Sequence, residues 1–178
     1  MNVKRSLLLL LVVGLALPGC RSRTDRSEGT VLLSVTDFDG LPIVVSATGG
    51  PTQIGEITLA NVAKDPTGGT SDLMDIEIRS YEVRYTRRDT GTVQPPPLVE
   101  TIFGVVPVNG TMTINGLPFI RAHQLTTRPI SDLADFGRDS ETGSTVIPID
   151  VTMRFFGRTL SGDDIASAPA SFTIEVVP

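Results

Sequence analysis

Short runs with an apolar residue at every second position constrain this chain more than any other feature. Examples are Val31 to Val35 and Phe172 to Val176, and the longest run extends from Ile147 to Phe155. This period places alternate side chains on opposite faces of a strand, so that one face is buried and the other meets water. The runs are separated by turn residues, and the chain contains 17 glycines and 13 prolines. The pattern predicts an all-β fold, a sandwich of about 7–9 short strands.

The segment from Asp75 to Arg88 contains two apolar sets of opposite parity. Ile76 and Ile78 form the first set, and Tyr81, Val83 and Tyr85 form the second. A regular strand would place the two sets on opposite faces. We therefore predict a β-bulge at Arg79–Ser80, which would bring both sets to one face, or a strand that switches sheets there.

Three connecting segments also carry local signals. Asn109-Gly110 predicts a tight hairpin between a strand at 99–106 and a returning strand at 111–114. Residues 119–125 read as a further strand. Pro129 and the spacing of Ile130, Leu133 and Ala134 predict one short helix near 129–136, which Gly137 would end.

The end of the chain supports a particular kind of sandwich. Residues 146–177 consist of a long strand, a turn rich in Gly and Asp, and a final strand. They resemble the last hairpin of fibronectin-type and other immunoglobulin-like domains. This resemblance implies an immunoglobulin-like antiparallel sandwich, although the Cys–Trp–Cys signature of antibody domains is absent. It is a resemblance of architecture and implies no activity.

The N-terminus has the parts of an export signal. Lys4 and Arg5 precede an apolar run from Leu7 to Leu17, and a small residue, Gly19, precedes Cys20. The run is too short for a transmembrane helix, which needs about 20 apolar residues. These features predict a secretory signal peptide.

Leu17-Pro18-Gly19-Cys20 resembles the lipobox of bacterial lipoproteins, in which Leu, a small residue and Gly or Ala precede the modified cysteine. Leu17 and Gly19 fit the signal-recognition positions, and Pro18 departs from the usual small residue. The resemblance implies cleavage before Cys20 and lipid attachment to Cys20, so that the lipid anchors the chain in a membrane. The alternative is an ordinary secretory signal with an incidental cysteine.

This resemblance also implies how the chain is divided. Residues 1–19 would be the signal peptide that is removed, 20–29 the lipidated cysteine with a flexible tether, and 30–178 a single sandwich domain. In lipoproteins of this type an Asp after the cysteine tends to retain the protein at the inner membrane. Arg21 stands there instead and favours the outer membrane over the inner one.

Charge limits the possible partners of the mature chain. Cleavage removes Lys4 and Arg5 from 15 cationic residues, which leaves 13 against 20 acidic residues and a formal net charge of −7. The charges are mixed along the sequence, without a basic face. Nucleic acid is therefore an unfavourable partner.

The sequence contains few groups for catalysis. His123 is the only histidine, and we interpret it as part of a strand with a polar edge rather than as a base or ligand. Zinc sites need clusters of His and Cys, which this chain cannot supply. Acidic turns could supply oxygen ligands to calcium, and the weak candidates for this are Asp135, Asp139 and Glu141. Solvated turns explain the same residues, and we expect no cofactor.

Two functions remain open. The first is a non-catalytic binding or structural module that meets another envelope protein through a sheet face or an edge strand. The second is a calcium-dependent or carboxylate-based hydrolase with its site on the acidic loops. The first is favoured, and we expect the protein not to be an enzyme.

Overall fold

The computed structural model describes residues 29–178, which form an all-β sandwich. These residues contain nine strands: β1 Val31–Asp39, β2 Val44–Ser46, β3 Thr52–Ala63, β4 Ile76–Arg87, β5 Leu98–Val106, β6 Gly110–Ile120, β7 Ile147–Thr159, β8 Asp164–Ala166 and β9 Ala170–Val177. Two short α-helices lie between β6 and β7, α1 Ala122–Leu125 and α2 Ile130–Phe136, and a 3-10 turn covers Asp72–Met74. The predicted fold class and strand number are confirmed.

The strands divide into two sheets that pack face to face. One sheet has the order β1-β3-β6, and the other has the order β2-β9-β7-β4-β5, with β8 paired to β7. All pairs are antiparallel except β2 with β9. Successive strands change sheets at each connection from β1 to β4, between β5 and β6, and between β6 and β7, as in immunoglobulin-like sandwiches.

The predicted bulge in β4 is confirmed. The register of β4 shifts between Ile78 and Ser80 against both of its neighbours. As a result, both apolar sets of β4 are buried on the inner face: Ile76, Ile78, Tyr81, Val83 and Tyr85. Opposite the bulge, β7 has Gly157, where a Cβ atom would lie 2.4 Å from the Glu77 carbonyl oxygen. The bulge therefore requires glycine at that position.

Two tyrosines of β4 also connect the sheets. The Tyr81 hydroxyl lies 2.8 Å from the Pro118 carbonyl oxygen of β6, and the Tyr85 hydroxyl donates to the Phe119 carbonyl oxygen. Burial is the main reason that the pKa of each tyrosine is raised. The buried hydroxyls thus satisfy carbonyl groups at the end of β6 while their rings fill the core.

The predicted helix is present as α2. Gly137 ends it in the left-handed conformation, with φ of 68°, and its N–H donates to the Leu133 carbonyl oxygen at 3.0 Å. The prediction of a strand at 119–125 was wrong beyond Ile120, because the chain turns into α1. The Gln124 side chain accepts a hydrogen bond from the Arg121 N–H at 3.1 Å and so stabilises the start of α1.

The predicted hairpin at Asn109-Gly110 was also wrong. Asn109 has the positive φ of a tight turn, 54°, but β5 and β6 belong to different sheets. The Asn109 side chain accepts a hydrogen bond from the Ala63 N–H at 3.0 Å, which fixes the turn to the end of β3. The turn residues were identified correctly, and the connection that they make is a corner between the sheets.

Candidate functional site

A buried ionic cluster lies at the end of β4, centred on Arg87. The Arg87 side chain is 1% exposed, and its Nε and Nη2 atoms donate to the two carboxylate oxygens of Asp89 at 2.7 and 2.5 Å. Its Nη1 and Nη2 atoms donate to the carboxylate of Asp139 at 3.3 and 2.9 Å, and Glu141 lies 3.4 Å from Nη1. We name these four residues the Arg87 cluster.

The local sequence around Asp89 gives the cluster its shape. The Asp89 carboxylate also accepts a hydrogen bond from the Gly91 N–H at 3.2 Å. A Cβ atom at Gly91 would lie 2.1 Å from the Arg87 Cζ atom, so any other residue there would displace the guanidinium group from its partners. The turn of residues 89–91 therefore closes over a charge that it helps to neutralise.

Glu141 and Asp139 fix the β6–β7 connection to this turn. The Glu141 carboxylate accepts hydrogen bonds from the N–H groups of Thr92 and Val93 at 2.8 and 2.9 Å. The hydrogen bond from the Val93 N–H, followed by that from the Thr92 hydroxyl, is the main reason that the pKa of Glu141 is lowered. The pKa of Asp139 lies far below its usual value of 3.8, chiefly because of the hydrogen bonds from Arg87. Both acidic residues therefore hold loops together as charged groups.

The three calcium candidates are not brought to one site. Asp139 and Glu141 share the Arg87 cluster, where the guanidinium group and N–H groups occupy their oxygens. Asp135 is exposed on α2, at the rim of a shallow groove of about 360 Å³ between α1, α2 and the β2–β3 connection. Calcium needs six to eight converging oxygens, and residues 29–178 contain no group of three or more acidic, His or Cys residues arranged to hold a metal.

His123 does not lie in a strand as predicted. It is an exposed residue of α1, and no hydrogen bond joins its ring to a hydroxyl or carboxylate group among the described residues. Its carbonyl oxygen accepts a hydrogen bond from the Thr127 hydroxyl at 2.7 Å. The geometry thus does not pair His123 with a nucleophile.

The most conspicuous surface feature is the outward face of β5. Its outward side chains are Val99, Thr101, Phe103 and Val105, which we name the β5 strip. Val99 is 65% exposed, Phe103 is 77% exposed and Val105 is 41% exposed. Most large apolar side chains of the sandwich are buried, so this exposed row of three on one strand is the candidate binding surface.

The charges beside the β5 strip are already paired. On the outward face of β4, Arg79 contacts Glu77 at 2.8 Å and Arg84 contacts Glu82 at 2.9 Å. In each pair the arginine is exposed and the glutamate is partly buried, and the opposite charges leave no strong net charge next to the strip. The strip is therefore suited to an apolar, uncharged surface rather than to a charged one.

The inward face of β5 is held firmly. The Glu100 carboxylate pairs with Arg121 at 2.6 and 2.8 Å and lies 3.0 Å from the Tyr81 hydroxyl. The hydrogen bonds from Arg121 are the main reason that the pKa of Glu100 is lowered. The strip is thus presented by a strand whose other side is fixed to the sandwich.

The signal positions Leu17, Gly19 and Cys20 lie outside the described residues, as do the whole of 1–19 and most of the predicted tether. Within residues 29–178, no helix has the length and apolar character needed to cross a bilayer.

The Arg87 cluster yields a stability prediction. Asp139→Asn should lower the free energy of unfolding by about 3 kcal/mol, because it removes the most deeply buried partner of a buried cation. Asp139 has a lowered pKa, so its contribution is complete above pH 3.8 and is lost as the pH falls further. The difference in free energy of unfolding between wild type and variant, measured by urea denaturation, should therefore become smaller below that pH.

The matched control is Asp135→Asn, at an exposed carboxylate, which should change stability by no more than about 0.5 kcal/mol. Equal losses for the two variants would contradict a structural role for the Arg87 cluster.

No family model matches the chain, and no match was found among curated proteins or solved structures. The immunoglobulin-like strand order supports many unrelated functions and does not select one. The chemistry of the surfaces of this domain is therefore the basis for a functional assignment.

Proposed function

We propose that this chain is an envelope lipoprotein, anchored in a membrane through Cys20, whose sandwich domain is a non-catalytic module that binds another envelope protein. The β5 strip is the observation that carries this proposal. It combines exposed apolar side chains with an unpaired strand edge, and both are features of sites where proteins add a strand.

The acidic loops give less support to the alternative, a calcium-dependent or carboxylate-based hydrolase. A general acid or base needs a carboxylate that is free to exchange protons with a substrate. Asp139 and Glu141 are instead held by Arg87 and by backbone N–H groups. The loops where that alternative places its site are thus engaged in holding the fold.

The anchor rests on the resemblance of Leu17 to Cys20 to the lipobox. Each buried CH₂ group of an acyl chain contributes about 0.8 kcal/mol, so two or three chains hold a protein firmly on a bilayer. An anchored domain meets partners in the plane of the membrane, where even a modest surface such as the β5 strip is effective. Arg21 favours the outer membrane.

Replacing the cysteine tests the anchor. Cells given labelled palmitate should transfer the label to the wild-type chain, which should sediment with membranes, whereas Cys20→Ser should remain unlabelled. Pro18→Ala is the matched control, since it fits the usual lipobox pattern and should keep the label. A wild-type product with an unmodified Cys20 thiol would overturn the anchor.

Photocrosslinking tests the binding surface. A photoreactive amino acid at Phe103 of the full chain should trap a protein adduct in cells, because Phe103 is the most exposed residue of the strip. The control position is Phe136 on α2, which is 70% exposed but lies outside the strip. Absence of an adduct at Phe103, Val99 and Val105, or the same adduct from Phe136, would contradict the proposal.

A further inference from the structure

The four edges of the two sheets differ in their protection against pairing. The β2 edge has only three residues, the β1 edge carries the carboxylates of Asp37 and Asp39 near its end, and the β6 edge contains Pro118 and has Gly116 at a φ of +65°. Short length, charged side chains and proline are common ways to block an exposed edge. Three of the four edges are therefore protected.

The β5 edge lacks these protections, since its one charged residue, Glu100, lies on the inward face and pairs with Arg121. It spans nine residues, Leu98–Val106, without Lys, Arg or Pro, and burial alternates along its whole length. Its register shift is against β4, on the paired side. Alternate backbone N–H and C=O groups point away from β4 and are free to pair with another strand.

The sequence of β5 is complementary to itself in reverse. When two copies pair antiparallel about Ile102, all nine residues overlap. Val99 then faces Val105 of the copy, and Thr101 faces Phe103 of the copy. Pairs of β-branched residues, and of a β-branched with an aromatic residue, are favourable cross-strand neighbours. One strand thus supplies both halves of a two-fold symmetric interface.

Charge does not oppose this pairing. Glu100 is the one charged residue of β5, and it is neutralised by Arg121. In the centred register it faces Gly104 of the copy, so no like charges stand opposite each other. Although the whole chain is acidic, the surfaces that meet are close to neutral.

We infer that the partner of the β5 strip is a second copy of this chain, joined by antiparallel pairing of the two β5 strands into one continuous sheet. This inference rests on the proposed function, since it takes the β5 strip as the binding surface. Two anchored copies lie in the same membrane plane, which raises their local concentration and favours an interface of this modest size.

Two differently tagged full-length chains, produced in the same cells, test the identity of the partner. With the photoreactive residue at Phe103, the adduct should carry both tags and have twice the mass of one chain. An adduct with a different protein would overturn the inference that the partner is a second copy, and would leave the proposed function intact. The absence of any adduct would count against both.

A charge exchange tests the register. Val99→Lys should lower the yield of the two-tag adduct by about tenfold, because the new charge faces apolar Val105 of the copy. Val99→Lys combined with Val105→Glu should restore it, since each new lysine then faces a new glutamate across the interface. Within one chain these positions lie about 20 Å apart and cannot pair with each other.

Val99→Lys combined with Val105→Lys is the matched control, and its yield of the two-tag adduct should stay low. All of these residues are exposed, so the variants should fold. If the combination of Val99→Lys and Val105→Glu gives an adduct yield as low as that of the control, pairing centred on Ile102 is contradicted.

Discussion

The bulge at Arg79 in β4 is the constraint on which the rest of the sandwich depends. It changes the parity of the strand, so that Ile78 and Tyr81 both face the core. Without the extra residue, either the isoleucines or the tyrosines of β4 would face water, at a cost of about 1.5–3 kcal/mol for each large side chain exposed. Since β4 lies between β5 and β7, the bulge also sets the position of both neighbours.

Three polar features of the domain follow from this placement of β4. The inward tyrosines donate to carbonyl groups at the end of β6 and connect the sheets. At the end of the same strand, Arg87 is buried and gathers Asp89, Asp139 and Glu141 from two loops. Beside β4, on the side away from β7, lies β5, in which Glu100 is fixed inward and Phe103 points outward. Hydrogen bonds and ion pairs on the inner side of β4 and β5 thus support one apolar outer row.

Sequence reasoning was successful where the signal is local. The alternation around Ile149, the parity change in β4 and the end of α2 at Gly137 all follow from short-range stereochemistry. It failed at Asn109, because a positive φ defines a turn but does not decide which strands the turn joins. The Arg87 cluster was missed because Arg87 and Asp139 are 52 positions apart. Asp89 and Gly91 form a turn, but nothing in the sequence places that turn over a guanidinium group.

Hydrogen exchange of the β5 amides is the most direct test of an open edge that a second copy covers. With the full chain in detergent, the backbone amides of residues 98–106 that point away from β4 should exchange quickly at low protein concentration. Their exchange should become slower as the protein concentration rises. Amides of β7, which has a strand on each side, should be protected throughout. If the β5 amides exchange equally fast at every concentration, or are protected even at the lowest one, β5 is not an edge that pairs with its own copy.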